Sequence, residues 1–253
     1  MHAMTTPRIL ALIPARMGSS RFPGKPLADL QGKPMIRHVF ERVQANSLIS
    51  LTAVATCDRA IADCIESIGG KAIMTGNHHE RASDRCAEAL LYLQHHEQQT
   101  FDIVVMVQGD EPMIDPEMIS EAVEPMIADP KIKVVNLGGE INSDAEFNDP
   151  NCIKVVCDIN RDAIYFSRRP IPTSSLSDEA PRMKQVCVIP FRSEFLHEYT
   201  SMTPTPLEIA ESIDMLRVIE HGMKVHIAPT RYQTRAVDTP EDLELVSSLM
   251  GSE

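Results

Sequence analysis

No apolar run in this chain approaches the roughly 20 residues that a membrane-spanning helix needs. Basic residues are in short supply: 24 Lys+Arg face 36 Asp+Glu, a formal charge of −12. Broad binding to nucleic acid or to an anionic membrane needs a basic footprint, so neither is an expected partner. None of the six cysteines (Cys57, Cys64, Cys86, Cys152, Cys157 and Cys187) forms a C-x-x-C pair. Without ligand spacing a zinc site is not expected, and reduced thiols behave as small buried hydrophobes. The adjacent pairs His78-His79 and His95-His96 would point in different directions on a helix, which assigns them to solvent. Residues 1–4, Met-His-Ala-Met, are too short and too polar for a secretory signal, so the cytoplasm is the expected compartment. There is no internal repeat and no low-complexity tract.

What is present is enough apolar material, 43% of 253 residues, to bury one large core over residues 1–253. Strands and helices alternate through the first half. Residues 8–13, 51–56, 71–74 and 102–107 read as strands, the last as a central one buried on both faces. Pro34 opens a helix to residue 43, Asp58 caps the next, and Ser83 or Asp84 caps a third through Leu93. This βαβαβ order predicts an α/β fold with a doubly wound, mostly parallel sheet whose ligands sit at one edge. In the second half, residues 153–158 and 163–167 flank Asn160-Arg161 as a hairpin. Residues 170–182 read as a mobile loop, and residues 186–189 resume strand character. Residues 206–221 read as one helix, with Pro206 at its start and Gly222 past its end. Thr239 caps a final helix with Pro240 at its first position. The simplest architecture is one domain with an inserted β-rich substrate and dimerisation region at 145–200.

The strongest local signal follows the first strand. Pro14, Ala15, Arg16, Gly18, Arg21, Pro23, Gly24, Lys25 and Pro26 form a loop that the chain cannot make helical. Free backbone N–H groups beside Arg16, Arg21 and Lys25 make a polyphosphate site. Within an acidic chain this charge is local, which points to a nucleoside triphosphate. Asp110, in Gln108-Gly109-Asp110-Glu111-Pro112, stands where the central strand ends and can hold Mg²⁺ against a polyphosphate. The alternative is a capped turn. Asp238, just before Thr239, is either a second ligand or a favourable charge at a helix start.

Taken together these segments carry more. Residues 12–27, Leu-Ile-Pro-Ala-Arg-Met-Gly-Ser-Ser-Arg-Phe-Pro-Gly-Lys-Pro-Leu, with Gly32-Lys33-Pro34-Met35-Ile36, resemble the sugar-activating cytidylyltransferases. Residues 107–112, 165–168, 204–208, 216–217 and 237–243 narrow the resemblance to the 3-deoxy-manno-octulosonate (Kdo) cytidylyltransferases, over nearly the whole chain. It implies a nucleotidyltransferase fold, Rossmann-like, and transfer of CMP from CTP to the anomeric hydroxyl of a 2-keto-3-deoxy sugar acid. The expected place of that chemistry is lipopolysaccharide biosynthesis, and the expected assembly is a homodimer. Arg16 and Lys25 match the family's phosphate loop, with Pro14, Ala15 and Arg21 beside them. Arg85 matches a nucleotide contact, and Asp110 and Asp238 match the magnesium carboxylates. Gln108 and Arg168 fall in segments near the sugar. No protein base is assigned.

The sugar segment departs from the family. A motif like Arg-His-x-Gly-Ile-Tyr-x-Tyr-Arg is here residues 184–192, with Gln185, Cys187 and Ile189 replacing His, Gly and the first Tyr. A Glu-Gln pair becomes Asp214-Met215. Losing several hydrogen-bonding groups together predicts a changed acceptor, such as an amino or deoxy analogue. Drift with unchanged substrate, a different acidic acceptor, and a non-catalytic sensor of CTP or CMP-sugar are the alternatives.

Overall fold

The computed structural model describes residues 7–19, 21–173 and 180–251, and in it the first apolar run becomes β1 (Ile9–Ala15). Every residue of β1 is buried. Leu10 and Leu12 join one apolar cluster, while Ile9, Ala11 and Ile13 join a second on the opposite face. Two-sided burial explains an unbroken apolar run instead of alternation. A 3-10 turn (Lys25–Leu27) and the short strands β2 (Asp29–Leu30) and β3 (Lys33–Pro34) follow. Next come α1 (Met35–Gln44), β4 (Leu51–Thr56), α2 (Arg59–Glu66), β5 (Lys71–Met74), α3 (Ala82–His96) and β6 (Ile103–Val107). The chain continues through α4 (Pro116–Ala128), β7 (Val135–Glu140), α5 (Asp144–Asn148), β8 (Lys154–Cys157) and β9 (Ala163–Ser167). It ends with β10 (Met183–Val186), β11 (Val188–Arg192), α6 (Ser193–Ser201), α7 (Pro206–Glu211), α8 (Met215–Glu220), β12 (His226–Thr230) and α9 (Pro240–Met250).

The main sheet has the order β11-β6-β1-β4-β5. β6, β1, β4 and β5 are parallel, and β11 closes the edge antiparallel to β6. Apolar residues of α1, α2 and α4 cover one face, and those of α3, α6 and α8 cover the other. This is the doubly wound arrangement that the βαβαβ order predicts. The carboxyl ends of β1 and β6 lie side by side, with Leu12 paired to Met106, and ligands of such sheets bind at that edge.

A second sheet has the order β12-β7-β10-β8-β9. β10 and β11 are separated only by Cys187, so one extended stretch passes from the second sheet into the first. The range 145–200 is therefore not set apart. Its strand β11 completes the main sheet, while β7 and β12, from outside it, complete the second. The hairpin at Asn160-Arg161 forms between β8 and β9, closed by the Asp158 N–H donating to the Asp162 carbonyl at 2.8 Å. Of the loop expected to be mobile at 170–182, residues 174–179 lie outside the described residues.

Three local expectations are corrected. Residues 206–221 do not form one helix: Ser212 adopts a left-handed conformation (φ 53°) and separates α7 from α8. In a straight helix two residues nine apart fall on opposite faces, at about 100° per residue. The break folds α8 back, so that Arg217 Nη2 and Nε donate to Glu208 at 2.6 and 2.8 Å. Asp58 stands before α2, but its carboxylate accepts the Met17 N–H at 2.8 Å instead of capping that helix. α3 starts at Ala82 without a side-chain cap, and the Ser83 hydroxyl turns to Asp214 at 3.3 Å.

Candidate active site

The loop after β1 folds over its own backbone. Ser19 and Gly24 N–H groups both donate to the Met17 carbonyl, at 2.9 and 3.1 Å, and Asp58 anchors the Met17 N–H from β4's end. Gly109, at the end of β6, permits close approach to this loop. A Cβ there would sit 3.0 Å from the Pro14 carbonyl oxygen and 3.1 Å from Ile36. Between the loop, the start of α3 and the end of β6 lies a cavity of about 500 Å³. Pro14, Ala15, Arg16, Arg21, Lys25 and Arg85 all line it, as do Gln108, Asp110 and Asp238.

Lys25 is the junction of the two predicted carboxylates. Its Nζ donates to Asp110 Oδ2 at 2.8 Å, to the Val237 carbonyl at 2.7 Å and to Asp238 Oδ1 at 3.4 Å. Arg21 Nη2 adds a contact to Asp238 at 2.9 Å. Asp238 reaches the cavity without following a strand of the main sheet. β12 belongs to the second sheet and ends at Thr230; the following loop is pinned where the Val237 N–H donates to the Asp110 carbonyl at 2.9 Å. Thr239 then caps α9 as expected, accepting the Asp242 N–H.

Arg85 is nearly fully buried, yet it faces the cavity. Nη1 donates to Thr75 Oγ1 at 2.5 Å and to the Gly76 carbonyl at 3.2 Å. Nη2 is buried with no hydrogen-bond partner among the described residues. A buried guanidinium N–H without an acceptor is costly unless a ligand supplies one.

The opposite wall is built from Gln185, Cys187, Ile189, Ser212, Ile213 and Asp214. Gln185 Nε2 donates to Asn136 Oδ1 at 2.5 Å, which fixes its amide on the second sheet. The Gln108 N–H donates to the Cys187 carbonyl at 3.2 Å, joining the end of β6 to the crossover between sheets. Burial pushes the Cys187 thiol well above its ordinary value, so it stays a neutral thiol. Burial also raises the Asp214 carboxyl, against the pull of Arg81, whose Nη1 donates to it at 2.7 Å. Two sequence expectations land elsewhere. Arg168 does not line the cavity; its guanidinium donates to carbonyls of Glu211, Ser212 and Pro150 at 2.7–3.3 Å. It holds the left-handed corner that presents Ser212. Met215 points into the apolar core and not into the pocket.

Several residues near the site escape a reading of the sequence. Arg81 carries no motif of its own and is placed by the α7–α8 break. Asp58 does carry a signal, its position just past the carboxyl end of a parallel strand. Glu111 is buried beside Asp110, and burial pushes its carboxyl up to about 7, although the Thr234 hydroxyl donates to it at 2.6 Å.

Comparison with known proteins agrees with this geometry. The cytidylyltransferase family profile matches residues 10–225. The chain is 44% identical to the 3-deoxy-manno-octulosonate cytidylyltransferase of Trichlorobacter lovleyi, over 96% of this chain and 98% of that one. It is 43% identical to the same-named protein of Geobacter metallireducens, over 94% and 96%. A solved CMP:2-keto-3-deoxy-manno-octonic acid synthetase complexed with CTP superposes with a TM-score of 0.89 at 39% identity, covering 97% and 99% of the two chains. The 4-diphosphocytidyl-2C-methyl-D-erythritol synthase of Anaerococcus prevotii shares the fold alone, with a TM-score of 0.66 at 13% identity over 98% and 100%. With relatives 43–44% identical over nearly the whole chain and the family profile over residues 10–225, the chain belongs to the 3-deoxy-manno-octulosonate cytidylyltransferase family.

Proposed function

We propose that this protein transfers CMP from CTP to the anomeric hydroxyl of a 3-deoxy-2-keto sugar acid, Kdo or a close relative, releasing pyrophosphate. The carrying observation is convergence. Arg16, Lys25, Arg85, Asp110 and Asp238 meet in one cavity, and Gln185, Ile189 and Asp214 form its far wall. The acceptor oxygen attacks the α-phosphorus, the bond to the bridging oxygen of the β-phosphate breaks, and pyrophosphate leaves. Arg16, Arg21 and Lys25, which line the cavity, neutralise the charge that collects on the leaving group. The unpartnered Arg85 N–H supplies a further donor to the nucleotide.

Mg²⁺ suits Asp110 and Asp238. Both are hard oxygen donors, partly open to solvent, and both already converge on one cation, the Lys25 ammonium. Bound there, the ion would neutralise the triphosphate and acidify a coordinated hydroxyl. The six free cysteines suit a reducing compartment, which supports a cytoplasmic enzyme. Among the described residues no helix is long and apolar enough to cross a membrane. A homodimer through β9 is supported by its place at a sheet edge and by the exposed Ile164 on it.

The acceptor wall favours a second specificity within the same reaction. Gln185 and Ile189 stand where the family carries His and Tyr, and both line the cavity. Pyrophosphate release is measured with CTP or ATP, Mg²⁺, and either Kdo or its amino and deoxy analogues. CTP is the expected nucleotide; equal use of ATP would sink the cytidylyl reading. An analogue is expected to exceed Kdo in kcat/KM. If Kdo is the best of the panel, the changed residues are drift and the reaction assignment stands.

A further inference from the structure

His78 and His79 lie outside the chemistry described so far. They sit in the turn between β5 and α3, not on a helix, and Glu88 projects from the second turn of α3. The sequence alone assigned this histidine pair to solvent, on the assumption of helical geometry. In the turn their ring centroids are only 4.2 Å apart. One ligand atom from each of His78, His79 and Glu88 lies within 4.8 Å of the other two. We propose that these three residues form a binding site for a divalent transition ion of the zinc class, separate from Asp110 and Asp238.

The geometry fits such an ion. Metal–ligand bonds of about 2.0–2.2 Å place tetrahedral donors about 3.4 Å apart, which small side-chain rotations reach from here. The carboxylate is held in place beforehand. The Gly76 N–H donates to both Glu88 oxygens, at 3.1 and 3.0 Å, as an outer partner that orients a metal ligand. Gly76 also makes room for the imidazole. A Cβ there would lie 2.3 Å from His78 Cε1 and 2.5 Å from Nδ1. His79 Nε2 already contacts Glu88, whereas the His78 imidazole has no hydrogen-bond partner among the described residues.

Two imidazoles and one carboxylate select zinc, cobalt or nickel over magnesium, which prefers oxygen donors. His78 is exposed, leaving a fourth position for water or another ligand. The site touches the nucleotide pocket. His79 lines the cavity, and its carbonyl accepts from Arg16 Nη1 at 3.4 Å. A bound ion would stiffen this wall against the phosphate loop.

The test uses the full chain, stripped with a chelator and without CTP, so it does not depend on the transfer reaction. Zn²⁺ binding is measured by calorimetry, and Co²⁺ binding by visible spectroscopy. One ion per chain is expected, with affinity falling at least tenfold in His78→Ala and in Glu88→Gln. The Co²⁺ spectrum is expected to lack thiolate charge-transfer bands, which separates the site from the six cysteines. Circular dichroism checks each variant's fold, and His78→Gln replaces His78→Ala if the latter fails to fold. Absence of binding, equal affinity in the variants, or a thiolate signature each overturns the proposal.

Discussion

Lys25 shows how one residue can look simple in the sequence and hold several roles in space. Its loop marks it as a phosphate cation. Folded, it is nearly buried and also separates two acids 128 residues apart in sequence, Asp110 and Asp238. Lys25→Met removes that cation and leaves the carboxylates facing each other. Turnover is expected to fall at least about 100-fold, the usual scale for losing a preorganised charge at a developing anion. Lys25→Arg should recover part of it. Pyrophosphate release and a thermal melt separate lost chemistry from lost fold. Asp110→Asn and Asp238→Asn should each cut turnover by orders of magnitude while the fold survives, and a variant with near-wild-type turnover would remove that residue from the metal pair.

At the scale of elements, the corner between α7 and α8 matters most. The sequence reads as one helix from Pro206 to His221, because nothing local forbids it. Ser212 bends because the bend lets Arg217 pair with Glu208, and both side chains are almost wholly buried. Removing one partner of such a pair costs about 3–5 kcal/mol, because the other charge stays buried alone. Arg217→Met should therefore destabilise strongly, as read by urea unfolding. It should also loosen Asp214 on the acceptor wall and raise the acceptor KM. Glu208 adds a pH dependence. Burial pushes its carboxyl up, but the Arg217 bonds outweigh that and hold it below the ordinary 4.5. A lowered folded value means that the pair's stabilisation is complete above about 4.5 and fades as pH falls through the folded value. Unfolding between pH 3 and 6 should show that loss in the wild type and a flatter profile in Glu208→Gln.

For the molecule as a whole, the proposed dimer is carried by β9. Ile164 is 58% exposed on the last strand of the second sheet, and Ile159 at the hairpin tip is 99% exposed. Exposed apolar residues on the last strand of a sheet mark a surface for association. Ile164→Asp should convert a dimer to a monomer in sedimentation velocity. A wild-type protein that sediments as a monomer would remove the dimer proposal.

The sequence by itself determined the main sheet and the loop that supplies one end of the cavity. Continuous apolar runs at β1 and β6 admit one arrangement, burial on both faces. The Pro- and Gly-rich loop after β1 cannot continue as an α-helix, and it brings Arg16, Arg21 and Lys25 to the cavity at the sheet's edge. Those are local facts, readable from a dozen adjacent residues. Tertiary structure alone decided which residues of the expected sugar segment line the cavity, and the turn at His78-His79. Gln185, Ile189 and Asp214 share a wall because the chain changes sheets at Cys187 and breaks at Ser212. Met215 and Arg168 leave that wall for the same reasons, one drawn into the core and one onto free carbonyls. Such choices are set by which buried charge finds a partner and which apolar side chain finds a cavity. Both depend on contacts between residues far apart in the chain, which no local pattern encodes.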